Sequence, residues 1–128
     1  MTVKEFFDLC ALKGCDGVVI VNELADDFTY GNVIDIISHE SSIPNFRHTF
    51  HDFQRLYGFD REILGFGVSN WNGCEGAYIR MKLKGISSDY DVDLGHYIVT
   101  VDKKKYVSYL HEESSKRDYF KLLESEVK

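Results

Sequence analysis

The residues from Ala77 to Lys84 alternate between apolar and polar side chains, and this is the clearest periodic segment of the chain. A period of two puts alternate side chains on opposite faces of an extended strand, so the segment predicts a β-strand. One face, with Ile79 and Met81, is expected in the core. The other, with Arg80 and Lys82, is expected to meet water or a partner.

Other short apolar segments also predict strands. Val18 to Val21 is β-branched throughout and predicts a buried strand. Val33 to Ile37 fits either a strand or a short helix, whereas Gly85 to Leu94 is polar and predicts a loop or a ragged sheet edge. The further predicted strands are Phe28–Tyr30, Ile63–Val68 with its glycines at 65 and 67, and a hairpin of Tyr97–Val101 with Tyr106–Leu110.

Three segments predict helices. Thr2 and Glu5 have the spacing of a capping box, and Gly14 is placed to end that first helix. Pro44 fits the first turn of a central helix, because a first-turn residue needs no backbone N–H. The apolar face of the central helix comprises Phe46, Phe50, Phe53, Leu56 and Tyr57; a C-terminal helix begins at Ser114 or Ser115 and carries Tyr119, Phe120, Leu122, Leu123 and Val127.

The length and the order of these elements predict one α+β domain over residues 1–128. We expect about six strands, mostly antiparallel, with an N-terminal, a central and a C-terminal helix. A chain of 128 residues can bury about two-thirds of its unfolded surface, so it needs no disulfide or metal to fold. The alternative is two subdomains that part near residues 39–44.

The net charge of −6 arises entirely in residues 1–60, which hold four basic and ten acidic residues. Residues 61–128 hold eleven of each. An acidic surface repels phosphates, which disfavours direct binding to nucleic acid or to an anionic membrane. It suits a basic partner, including the basic groove of a nucleic-acid enzyme, although net charge also serves solubility alone.

The N-terminal segment contains an acidic residue, Glu5, and leads into no long apolar run, so it does not resemble a secretory signal. The longest apolar run, Val18 to Val21, is too short to span a bilayer. The three cysteines, an odd number, are expected to be reduced thiols. No two of them have the spacing of a zinc site. These features predict a cytoplasmic protein with no signal segment, no cofactor and no metal.

Asp89, Asp91 and Asp93 alternate along the chain. A calcium loop would need glycine where Leu94 stands and a later glutamate, so calcium binding is not expected. In an extended segment the three carboxylates would lie on one side, about 6.6 Å apart. They could either dock on a basic partner, together with Asp26 and Asp27, or protect a sheet edge.

The polar face of the alternating segment offers a different kind of site. Tyr78, Arg80, Lys82 and Lys84 could hold a nucleotide or another anion, with Lys103 to Lys105 nearby. The alternative is a solvated strand face, since no glycine-rich phosphate loop accompanies it.

Three other positions could carry function. Trp71, followed by Asn72 in a predicted turn, is a candidate exposed contact residue, or its ring folds back on the sheet. Cys74 could be a nucleophile only with a base, and Glu75 beside it disfavours the thiolate. His48 and His51 lie one helical turn apart, but the sequence does not indicate further metal ligands, so we expect them at the border of the apolar face.

The segments Met1–Leu9, Gly17–Val21 and Tyr30–Gly31 resemble small uncharacterised proteins of phages and mobile elements in Gram-positive bacteria. The resemblance covers the first 35 residues or so and implies a phage-borne accessory protein. Small acidic inhibitors of host defence, such as anti-CRISPR proteins, form one functional class among these.

The leading functional prediction is therefore a non-catalytic interaction protein that docks an acidic surface and an aromatic turn on a host or cognate protein. The first alternative is a small protein that binds or sequesters an anion, either alone or across a homodimer. The second is a small enzyme whose site is assembled from dispersed residues, which a linear sequence does not exclude. A homodimer could form through an edge strand or a helix face.

Overall fold

The structure, a computed structural model, describes residues 1–10, 15–24, 32–38, 48–70, 77–108 and 120–122. These residues form two helices and eight strands, which are arranged in two four-stranded sheets. The elements are α1 (Val3–Cys10), β1 (Cys15–Val21), β2 (Val33–Ser38), α2 (Phe50–Leu56), β3 (Ile63–Asn70), β4 (Ala77–Leu83), β5 (Ile86–Asp91), β6 (His96–Val101), β7 (Lys104–Ser108) and β8 (Phe120–Leu122).

The first sheet has the strand order β2-β1-β4-β3. β1 pairs with β4 in parallel, whereas the other two pairs are antiparallel. β1 lies between β2 and β4. This central position explains the β-branched run Val18–Val21, since all four of these side chains are fully buried.

The second sheet is an antiparallel meander in the order β5-β6-β7-β8. Asp102 and Lys103 connect β6 to β7 and have φ angles of 51° and 74°. Two consecutive positive φ angles match the twist of paired strands, which confirms the predicted hairpin.

A single apolar cluster joins the two sheets and both helices. Val3 and Phe6 of α1 and Phe53 of α2 pack on one face of the first sheet, where Val18, Ile20, Met81 and Leu83 are buried. The second sheet adds Ile86, Val99 and Val101 to the same cluster. Because β4 supplies both Met81 and Leu83, the alternation of residues 77–84 correctly indicates a strand with one face in the core.

The glycines of β3 allow a close approach on the opposite face of the first sheet. A methyl group at Gly65 would collide with Leu24 Cδ1, and one at Gly67 would lie 2.6 Å from Arg80 Nη2. The glycine spacing in Ile63–Val68 therefore reflects side chains that lie directly over the backbone.

The α+β class and the mainly antiparallel pairing are confirmed, but two predictions about individual elements are wrong. Of the two alternatives for residues 85–94, the sheet edge is confirmed, since residues 86–91 form β5 at the edge of the second sheet and pair with β6 along their whole length. The described residues contain eight strands rather than six. Phe120 to Leu122 form strand β8 on the edge of β7 instead of belonging to a C-terminal helix.

The central helix also starts later than expected. Thr49 is its N-cap and forms a capping box with Asp52, so α2 begins at Phe50. Pro44, the segment Phe28–Tyr30 and the predicted boundary at 39–44 lie outside the described residues. Neither described helix is long and apolar enough to cross a bilayer.

Candidate partner-binding site

The hairpin of β5 and β6 carries the predicted acidic row at its tip. Residues 89–95 read Asp-Tyr-Asp-Val-Asp-Leu-Gly, so carboxylates alternate with apolar side chains. We call these seven residues the acidic tip. Tyr90 pairs with Tyr97 and Asp91 with His96, and the chain reverses between Val92 and Gly95.

Backbone hydrogen bonds and Asp91 fix the shape of this turn. Gly95 N donates to Asp91 O at 2.8 Å, and Leu94 N donates to Asp91 Oδ1 at 3.0 Å. Gly95 has a φ of 72°, a conformation that L side chains rarely adopt. Asp91 therefore supports the turn with its carboxylate, whereas no described contact of this kind holds Asp93.

The apolar members of the acidic tip are exposed. Val92 is 82% exposed, Tyr90 48% and Leu94 46%. Tyr90 is held in place by an edge-to-face contact with Tyr97, whose ring centroid lies 5.1 Å away. Exposed apolar side chains clustered at one tip make it a candidate contact surface for another protein.

The carboxylates of Asp89 and Asp91 lie on one face of β5 and line a shallow cleft. The cleft has a volume of about 350 Å³ and is also lined by Ser87, Thr100 and Lys105. Asp93 lies beyond the strand in the turn, so the three carboxylates do not form one continuous row along an extended segment. Asp26 and Asp27 lie outside the described residues.

The charge of the second sheet is separated along its strands. The hairpin from Ile86 to Val101 holds three aspartates and neither lysine nor arginine. Lys103 and Lys104 follow at the far end of β6, about 20 Å from the turn for six residues of extended chain, whereas Lys105 lines the cleft together with Asp89 and Asp91. The tip thus presents a negative end that is suited to a basic surface.

The predicted basic face is directed at the chain itself. Tyr78 is buried, Arg80 Nη1 donates to Leu24 O at 2.6 Å, and Lys82 Nζ lies 3.1 Å from Glu23 Oε2. Lys84 follows the end of β4 and is exposed in a turn. These four residues therefore do not form one open cationic patch, because residues 22–24 occupy two of the charges.

The other predicted contact and catalytic positions are only partly described. Trp71, Asn72 and Cys74 lie outside the described residues. His48 precedes the N-cap of α2 rather than lying in the helix, and it is buried, whereas His51 is exposed on α2. The helical spacing inferred for the two histidines is wrong, and the described residues contain no group of side chains arranged to hold a metal ion.

Sequence reasoning missed a buried polar cluster beneath α2. Asp35 of β2 is fully buried, and its Oδ2 atom lies 2.6 Å from both His48 Nδ1 and the Tyr57 hydroxyl. Burial opposes the protonation of His48, but the Asp35 carboxylate outweighs this effect and raises the pKa of His48. All three side chains are buried, so the cluster is part of the core.

A second cleft lies where the two sheets meet. Its volume is about 370 Å³, and Arg61 and Asp102 bridge it through contacts of 2.9 and 2.6 Å. The hydrogen bonds from Arg61 hold the pKa of the Asp102 carboxyl below its usual value. Arg61 also donates to Tyr57 O and Lys84 O, so this ion pair ties the loop before β3 to the β6–β7 turn.

Comparison with protein-family models, with curated proteins and with solved structures finds no match for this chain. The resemblance of the first 35 residues or so to phage proteins therefore stays a prediction.

Proposed function

We propose that this protein is a non-catalytic interaction protein that docks on a basic surface of another protein through the acidic tip. The observation that carries the proposal is the arrangement of residues 89–95, where Tyr90, Val92 and Leu94 are exposed between three aspartates. Apolar contacts supply affinity in such an interface, and the carboxylates select a basic partner and speed the encounter.

The chemistry of the acidic tip suits a positively charged groove that contains an apolar depression. A nucleic-acid enzyme offers such a groove, and occupation of it by carboxylates would exclude the phosphates of its substrate. Inhibition of a host defence enzyme, in the manner of a phage-borne anti-CRISPR protein, is the biological form of this proposal. The anion-binding alternative is less well supported, because Arg80 and Lys82 contact Leu24 O and Glu23.

The test compares three versions of the tagged protein in affinity capture from a nuclease-treated host lysate. The first is the wild type, the second carries Asp89→Asn with Asp93→Asn, and the third carries Asp8→Asn with Asp60→Asn. Both double variants change the net charge equally, and all the replaced side chains are exposed. Asp91 is kept because its carboxylate supports the turn.

A partner retained by the wild type and by the Asp8/Asp60 variant, but lost with the Asp89/Asp93 variant, would support the proposal. The affinity of the purified complex should fall at least tenfold in the Asp89/Asp93 variant, with a weaker dependence on salt. Equal retention by all three versions would contradict docking through the acidic tip. Circular dichroism of each variant would establish that it is folded.

A further inference from the structure

The outer edge of the first sheet carries a row of exposed apolar side chains. Leu64, Phe66 and Val68 are 54%, 47% and 62% exposed, and they alternate along β3. Their pairing positions in β4 place Phe66 beside Met81 and Val68 beside Ile79, on the face that bears the core. The ring of Phe66 also lies 4.7 Å from that of Phe6, so the row continues the core outwards.

Apart from the register shift between Ile63 and Gly65 at one end of the row, this edge has few of the features that keep natural sheet edges apart. Residues 63–70 include no charged residue and no proline. Within the described parts of the chain, β4 is the only strand paired with β3 over residues 64–70. The N-terminus of the chain contacts only the start of β3, where Ile63 N donates to Met1 O at 2.8 Å.

We propose that β3 is a homodimer interface, in which β3 of a second copy pairs with it in antiparallel orientation about a two-fold axis at Phe66. This register places Leu64 opposite Val68 of the second copy and Phe66 opposite its equivalent. It is the register in which every member of the row meets another member on the same face. A two-fold interface requires such a self-complementary surface.

The distribution of charge fits a second copy. The chain carries a net charge of −6, so an interface between two copies is least unfavourable where no charged side chain is buried or opposed to a like charge. Residues 64–68 hold no charged side chain, and Glu62 at the end of the row is bridged to Thr2 of its own chain. The acidic tip belongs to the second sheet, so this interface is independent of the proposed partner-binding site.

The size of the contact indicates a weak dimer. Met1 and Thr2 already lie beside Ile63 and Glu62, so residues 64–68 are the part of β3 open to a second copy. Five residues of strand make a contact about 17 Å long. The surface area buried by one strand pair and a single row of side chains is smaller than the roughly 800 Å² per partner that stable complexes bury. We therefore expect reversible dimerisation in the micromolar range rather than a permanent dimer.

Sedimentation equilibrium over low micromolar to submillimolar concentrations tests the dimer. The wild type should show a concentration-dependent mass between monomer and dimer, and Val68→Lys should weaken association at least tenfold. His51→Lys is the matched control, because His51 is also exposed but lies on α2, and it should associate like the wild type. A wild type that remains monomeric throughout would overturn the proposal and leave the edge for an extended segment of another protein.

Disulfide trapping tests the register. A mixture of Leu64→Cys and Val68→Cys proteins should oxidise to a heterodimer linked between positions 64 and 68, identified by mass spectrometry, because directly opposed residues meet the distance required for a disulfide. Either protein alone should form no link between its own introduced cysteines, which lie about four residues out of register. Equal linkage in the separate proteins would overturn the two-fold pairing at Phe66.

Discussion

The Nδ1 atom of His48 lies 2.6 Å from the Oδ2 atom of Asp35 inside the protein, although the two residues are thirteen positions apart. A fully buried carboxylate is tolerated only when hydrogen bonds and a positive charge compensate for its lost hydration. Ile36 N adds a third hydrogen bond, to Oδ1 at 2.8 Å. The contact therefore holds the segment before α2 against β2, where His48 N also donates to Ile36 O.

The stability of the protein should decrease as the pH rises above 6.5 because of His48. Its pKa is raised in the folded state above the ordinary value of 6.5. The stabilising contribution is thus fully present below pH 6.5 and is lost as the pH rises through the raised pKa. Denaturant unfolding at a series of pH values should show this loss, and His48→Gln should remove it. An unchanged pH profile in His48→Gln would contradict the assignment.

Removal of the Tyr57 hydroxyl should destabilise the fold. Burial, with the adjacent Asp35, raises the pKa of Tyr57, so the hydroxyl remains a donor throughout the physiological range. We expect Tyr57→Phe to lower the free energy of unfolding by about 1–3 kcal/mol, because a buried carboxylate loses one of its donors. Tyr90→Phe, at an exposed tyrosine, should change it little. Equal effects of the two changes in urea denaturation would argue against the cluster.

The ion pair between Arg61 and Asp102 should contribute modestly to stability. Asp102→Asn keeps a side chain that tolerates the positive φ but removes the charge. Since Asp102 is largely exposed, we expect a loss of about 1 kcal/mol at neutral pH, against almost none for Asp60→Asn. The lowered pKa of Asp102 means that this contribution is present above pH 3.8 and is lost as the pH falls through the lowered value. Urea unfolding at pH 7 and in acid measures both parts, and a difference that persists in strong acid would refute the ionic explanation.

Two glycine substitutions should separate backbone strain from side-chain collision. Gly95 and Gly85 both have positive φ, but a Cβ atom at Gly95 meets nothing within 4 Å, whereas one at Gly85 would lie 2.6 Å from Asp102 Oδ1. Gly95→Ala should therefore cost roughly 1–2 kcal/mol from the left-handed backbone alone. Gly85→Ala should cost more, since it also displaces the Arg61–Asp102 pair. Thermal unfolding of both variants measures the difference, and equal losses would contradict this explanation.

The sequence predicts those strands whose own side chains carry the signal. Residues 77–84 alternate between apolar and polar side chains because one face of β4 is in the core. Asp102 and Lys103 indicate the β6–β7 turn, because polar and charged side chains suit an exposed reversal of the chain. Gly65 and Gly67 were interpretable as sites of close approach, but the sequence alone does not identify Leu24 and Arg80 as the groups above them.

Other elements depend on partners that lie far away in the sequence. β5 is polar over Ser87–Asp91, so its own pattern indicates either a loop or a ragged sheet edge, and its pairing with β6 decides for the strand. Phe120–Leu122 has helical spacing with its neighbours, yet it adds to the edge of β7. Asp35 offered one available signal: a lone carboxylate among the β-branched residues of Val33–Ile37 requires buried partners.

For the candidate site, the sequence identified Asp89, Asp91 and Asp93 but not the exposed apolar side chains between them. Val92 and Leu94 resemble ordinary loop residues in the sequence, and their exposure depends on the four-residue turn that Asp91 supports. The predicted basic face was less informative, because Glu23 and Leu24 come from a distant turn.

The parallel pairing of β1 with β4 has a consequence for the nascent chain. Val18 lies beside Ile79, so β1 cannot complete its sheet until about sixty further residues have been added. At ribosomal rates of about 5–20 residues per second, the delay is roughly 3–12 s. Throughout that interval Val18–Val21, fully buried in the finished protein, is exposed to solvent or is held only by β2. The first strand of the protein is thus a segment that chaperones would protect during translation.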